Sequence, residues 1–171
     1  MKAKKISTER AKQDKLFYVV ANVVVFRASD ERCLLLKRHE REKAHPGKYA
    51  TPGGKLEWSN FDLNHPTRMN GDIYDFEGAI EDLLIRETKE EAGIDTHDDF
   101  TYLESIGFVR PDGIPVMLLK FAGKYKSGEV TLEKHSFSDY AWVNATEVHE
   151  YNTIDGIPRE VKKTIALYKK D

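Results

Sequence analysis

The chain has 171 residues, 40% of them hydrophobic and 33% charged, with a net charge of −2 at neutral pH. That length suits one domain, and the near-even charge balance argues against duplex nucleic acid as the main partner. A single cysteine, Cys33, rules out an internal disulfide or a cysteine-rich zinc site, and the longest apolar run, Leu16 to Phe26, is too short to span a bilayer. A soluble, cytoplasmic protein with neither a nucleic-acid nor a membrane partner is expected.

Residues 1–15 carry five lysines and one arginine with little to bury, so a flexible basic lead-in is expected before a single domain spanning 16–171. Tyr18 to Phe26 is β-branched and aromatic and reads as a strand buried on both faces. Ser29-Asp30-Glu31 forms a turn, and Cys33 to Leu36 the returning strand. His45-Pro46-Gly47 and Pro52-Gly53-Gly54 mark loops around a short segment at Tyr49-Ala50-Thr51. From Asp75 to Ala92 the pattern becomes helical, with Asp75 as N-cap and Gly93 at the C-terminal end. Phe100 to Arg110 and Ile114 to Tyr125 read as strands joined by the turn Pro111-Asp112-Gly113. Glu129 to Leu132 and Tyr140 to Val143 read as further short strands, and Pro158 opens a closing helix whose apolar face is Val161, Ile165 and Tyr168. Strands flanking one long central helix give a mixed α/β layered domain.

The informative stretch is Ile80 to Ile94. At about 100° per residue, Ile80, Leu83 and Leu84 share one stripe with Glu87, Glu90 and Glu91, so the second half of the packing face is acidic. Like charges at these spacings repel even when exposed, and partial burial raises the cost unless something positive neutralises them. Arg86, four residues before Glu90, can pair with that one acid. A hard divalent cation such as Mg²⁺ suits the other two. A solvated charged face, with Arg86 and Lys89 as partners, is the competing reading.

Arg86-Glu87-Thr88-Lys89-Glu90-Glu91-Ala92-Gly93-Ile94 resembles the second half of the Nudix box, whose pattern is Arg-Glu, an apolar residue, any residue, Glu-Glu, any residue, Gly and an apolar residue. Leu35 to Arg38, His45 to Tyr49 and Pro52-Gly53-Gly54-Lys55-Leu56-Glu57 resemble the strand, loop and glycine turn that lead into that helix. Trp142-Val143 followed by Glu147 resembles the family's last strand and turn, so the resemblance covers about residues 16–150. Three departures stand out. Asn60 occupies the position where the family has a Glu six residues after the second glycine, and Gly78 stands eight before Arg86. An insertion at about 59–77 therefore splits the box, leaving Glu77 one residue from the vacant position. Thr88 replaces the usual apolar residue.

The resemblance implies a Nudix-type α/β/α sandwich with a mixed β-sheet. It also implies Mg²⁺-dependent hydrolysis (Mn²⁺ as a substitute) of a diphosphate linkage in a small-molecule nucleotide: a nucleoside triphosphate, ADP-ribose or a similar compound. Glu87, Glu90 and Glu91, with the carbonyl of Gly53 in the turn it shares with Gly54, would hold the metal, and Arg86 would orient Glu90. Glu57 could join the outer metal set or be a surface residue, Glu77 could substitute for the missing Glu, and Glu133 or Asp139 could supply the general base or be plain solvated loop acids. Some ADP-ribose-cleaving relatives carry a proline about 16 residues after the box, and Pro111 lies 17 after Ile94, although Pro111 is also explained as a turn corner. His39, His45 and His135 read as surface residues. Trp58 could stack on a base or simply pack. The insertion, with Phe61, Tyr74 and Phe76, could cover the substrate, pair with a second chain in a homodimer, or decorate the surface. The rival functions are a non-catalytic Nudix-like nucleotide-binding sensor and an isoprenoid diphosphate isomerase, which would need a catalytic cysteine that Cys33, within an early strand, is poorly placed to supply.

Overall fold

The computed structural model describes residues 13–169. The expected basic lead-in thus lies almost wholly outside the described residues, of which Gln13–Lys15 form a short 3₁₀ turn. The β-branched run becomes β1 (Tyr18–Arg27) and the leucine-rich run β2 (Arg32–Arg38). Ala21, Val23 and Val25 of β1 face one side with Leu34 and Leu36, while Val24 and Phe26 face the other with Cys33 and Leu35. Both strands are therefore buried on both faces, as the unbroken apolar runs demand.

The two strands pair only at their hairpin end, Phe26↔Cys33 and Arg27↔Arg32. Beyond it they part. In the gap lie β3 (Tyr49–Ala50), paired with β2, and β4 (Gly53–Lys55), paired with β1. The stretch read as an insertion comes next and holds a hairpin of β5 (Arg68–Asn70) and β6 (Ile73–Asp75) separate from the main sheet. Helix α1 (Ala79–Ala92) follows, then β7 (Asp95–Thr96), β8 (Thr101–Val109), β9 (Pro115–Ser127), β10 (Phe137–Val143) and helix α2 (Ile157–Tyr168). The main sheet runs β10-β2-β1-β9-β7, with β8 also on β9, and β1 and β9 run parallel from Tyr18↔Val116 to Phe26↔Lys124. Leu83, Leu84 and Ala92 seat α1 on one face of this mixed sheet; Ile157, Val161 and Ile165 seat α2 on the other. The result is the expected α/β/α sandwich. Among the described residues no helix is long and apolar enough to cross a membrane.

Two expectations are corrected. Helix α1 begins at Ala79, because Gly78 takes a left-handed conformation (φ 73°) that a continuing helix does not allow. Asp75 is no N-cap; it pairs with Arg68 across the hairpin, and its carbonyl accepts from the Thr67 hydroxyl at 2.8 Å. Nor do residues 129–132 form a strand. Instead, the Thr131 N–H donates to the Ala92 carbonyl at 2.9 Å and the Glu133 N–H to the Glu91 carbonyl at 3.1 Å. The segment thereby satisfies carbonyls that the last turn of a helix leaves without partners.

Candidate active site

The site forms where the last two turns of α1 meet the glycine turn at β4. Asn22, the lone polar side chain within the apolar run of β1, holds the approach to that turn, donating to the Thr51 carbonyl at 3.1 Å. The Val23 N–H donates to the Pro52 carbonyl at 2.9 Å. These bonds bring the chain against β1 so closely that a β-carbon on Gly53 would lie 2.2 Å from the Ala21 carbonyl oxygen. Its φ of 154° adds a second reason for glycine there. At Gly54 the constraint comes from the site itself: a β-carbon would lie 2.4 Å from the Glu87 carboxyl carbon.

The carboxylates of α1 are thus packed onto the glycine turn. Glu91 is mostly buried and accepts from the Gly53 N–H at 2.9 Å. Burial above all pushes its carboxyl up to about 8. The Gly53 N–H pulls it back, the negative charges of Glu87 and Glu133 raise it further, and the positive charge of Arg38 offsets them least. Glu87 is also well covered, its side chain 17% exposed, and receives the Arg86 guanidinium at 2.9 Å. Glu90 is 60% exposed and stands 3.9 Å from the same guanidinium. Arg86 was expected to serve Glu90; Glu87 is its nearer partner. Thr88, in the apolar slot of the box, is fully buried.

A cleft of about 480 Å³ opens beside these acids, lined by Gly54, Lys55, Glu57, Asn60, Glu87 and Glu90 with Arg86. The structure therefore brings Glu57 to the cleft. It brings Asn60 there too: its side-chain oxygen accepts from Arg86 Nη1 at 3.1 Å and its nitrogen donates to the Glu57 carbonyl at 3.2 Å. Glu133 reaches the neighbourhood of Glu91 through the backbone bond that closes the helix end.

Other candidates lie elsewhere. Glu77 pairs with Arg68 at 2.9 Å on the inserted hairpin and does not line the cleft. Asp139 accepts from the Tyr49 hydroxyl at 2.7 Å and from the Tyr140 N–H at 2.8 Å, which engages both its oxygens. His39, His45 and His135 are away from the cleft lining, and Pro111 is exposed between β8 and β9, where the Gly113 N–H closes the turn on the Arg110 carbonyl. Cys33 is fully buried on the α2 face of the sheet, opposite α1, and burial pushes its thiol up, which removes the isomerase reading. Sequence reasoning missed two contributors: Asn22, signalled by a polar residue inside an apolar run, and Lys55, signalled by its place directly after the paired glycines.

Residues 17–165 match the family model for the NUDIX domain. The chain belongs to the Nudix family. Solved structures agree on the fold. A MutT protein from Methanosarcina mazei Go1 matches with a TM-score of 0.62 at 18% identity, covering 94% of this chain and all of its own. An Ap4A hydrolase from C. elegans, in a binary complex, matches with a TM-score of 0.60 at 19% identity, over 90% of this chain and 99% of its own. The NUDIX domain of Shewanella oneidensis NrtR, complexed with ADP ribose, gives 0.61 at 16% identity over 92% and 90%. No curated protein sequence matches this Nudix chain. By family and by fold it is a Nudix domain.

Proposed function

We propose that this Nudix hydrolase uses Mg²⁺ to cleave a diphosphate linkage between a nucleotide and another group. The observation that carries the reading is Glu91, a mostly buried carboxylate fastened to the glycine turn with no cation bridging it among the described residues. The donor chemistry fits a hard cation: the acids that meet the turn offer only oxygen, and Gly53 adds a carbonyl. As the side chains stand, no three acidic, histidine or cysteine groups among the described residues converge to hold an ion. Arg86 holds Glu87 and the Gly53 N–H holds Glu91, so binding an ion would require these side chains, which share one helix face, to rotate together.

Glu87, Glu90, Glu91 and the Gly53 carbonyl would hold the ion. When bound, Mg²⁺ neutralises phosphate charge and lowers the pKa of water. The chain's own contribution is positioning. Asn60 and the two acids fix Arg86 at the cleft, and Lys55 supplies a second positive charge there for phosphate oxygens. Glu133, tied to the end of α1 and exposed, is the better candidate to accept the proton of water; Asp139 is engaged by Tyr49. The retained acid cluster supports hydrolysis over binding alone, since a sensor gains nothing from so costly a group. A relative in fold that hydrolyses Ap4A and another that binds ADP ribose support a nucleotide substrate.

The test is a phosphate-release screen with Mg²⁺ across nucleoside triphosphates, ADP-ribose, dinucleoside polyphosphates and nucleotide sugars. Turnover of at least one class that vanishes with chelator is the expected result. No turnover of any would contradict the proposal.

A further inference from the structure

The insertion that splits the Nudix box builds a second cavity, of about 650 Å³, which shares a wall with the acid cleft. The shared wall is the turn Glu57–Phe61: Glu57 and Asn60 line the cleft, while Trp58 and Phe61 line the second cavity. Trp58 meets Phe61 with ring centroids 5.2 Å apart, and Phe61 meets Phe76 at 4.9 Å. Trp58 nevertheless remains 60% exposed, presenting an aromatic surface that the protein's own core does not use.

The polar lining decides what can enter. Arg68 is the one cation among the lining residues, and Asp75 (2.8 Å) and Glu77 (2.9 Å) already neutralise it. A phosphate meets net negative charge here and is repelled. A nucleobase with an exocyclic amino group suits the same surroundings, because its flat face stacks on indole and its N–H groups donate to carboxylates. Asp75 uses Oδ2 and Glu77 uses Oε1 for Arg68, so the second oxygen of each lies outside that pairing. The volume falls within the ordinary range for small-ligand sites.

We propose that this aromatic cavity binds the amino-bearing base of the nucleotide whose diphosphate lies in the acid cleft, with Trp58 as the stacking platform. The proposal extends the hydrolase reading by assigning substrate selection to the insertion, and its test separates the two. Trp58 and Trp142 are the two tryptophans of the chain, so Trp142→Phe leaves Trp58 as sole reporter. That protein is titrated, without metal, with adenosine, AMP, ribose 5-phosphate and inorganic pyrophosphate while indole fluorescence is read.

Adenosine and AMP should quench with dissociation constants within about threefold of each other, since the acidic cavity gains nothing from phosphate. Ribose 5-phosphate and pyrophosphate should not quench. By calorimetry, Trp58→Ala and the milder Phe76→Leu should each weaken adenosine binding, the former about tenfold. Absence of quenching by adenosine, equal quenching by ribose 5-phosphate, or quenching that follows self-association of the protein would each overturn the base site. In turnover, Trp58→Ala should raise KM for a nucleotide far more than it lowers kcat. Hydrolysis with unchanged KM in that variant sinks the base site and leaves the hydrolase reading intact. Adenosine binding in a protein that hydrolyses nothing does the reverse.

Discussion

Glu91 and Glu160 are buried on opposite faces of the same sheet, and their surroundings differ. Glu160 of α2 is 1% exposed and faces Lys120 of β9 at 3.2 Å, the two charges neutralising each other. Glu91 of α1 instead has a backbone N–H and two acidic neighbours, with the charge of Arg38 the weakest influence on it. A buried carboxylate with its own cation is settled structure. One without is expensive in the empty protein and becomes favourable only when a cation arrives. On the proposed function, the difference separates a glutamate that belongs to the fold from one assigned to the chemistry.

Breaking the settled side of the comparison has the largest effect. Lys120→Met strands the Glu160 charge and should cost about 3–5 kcal/mol of stability by denaturant unfolding, most of it regained in Lys120→Met with Glu160→Leu. Breaking the other side should spare the fold. Glu91→Gln keeps an acceptor for the Gly53 N–H, yet turnover should fall at least about a hundredfold; unchanged turnover removes the proposed role. Gly54→Ala separates geometry from charge. The atoms nearest its β-carbon all belong to the movable end of Glu87, so activity should drop by about ten- to a hundredfold with little loss of melting temperature. Gly53→Ala meets backbone and should destabilise instead.

A pH prediction sharpens the contrast. The folded Glu91 carboxyl titrates near 8 against an ordinary value of 4.5. Between those values the folded chain holds a proton that the unfolded chain has lost, so metal-free stability should decline as pH rises through that window. Glu91→Gln should lack this decline. The smallest effect belongs to Asn60→Ala, which removes one hydrogen bond to Arg86 worth about 1 kcal/mol and should alter activity severalfold.

The doubly buried strands and the acidic stripe of α1 were legible because both are local patterns, an unbroken apolar run in one case and side chains three or four residues apart in the other. What escaped depends on distant partners. Asp75 has the chemistry of an N-cap, but its place opposite Arg68 depends on a hairpin whose pairing no local pattern reveals. Val130, Thr131 and Leu132 alternate like a strand, yet the carbonyls at the end of α1 claim the segment. Asn60 looked like a lost functional residue; the insertion folds so that its amide still reaches Arg86.

Calorimetric titration of the metal-free protein with Mg²⁺, in buffers of different ionisation enthalpy, tests the role of Glu91 most directly. The account predicts uptake accompanied by proton release, about tenfold weaker at pH 7 than at pH 9 because a proton must leave a group titrating near 8, and abolished in Glu91→Gln. No uptake, or uptake that Glu91→Gln leaves unchanged, would contradict it.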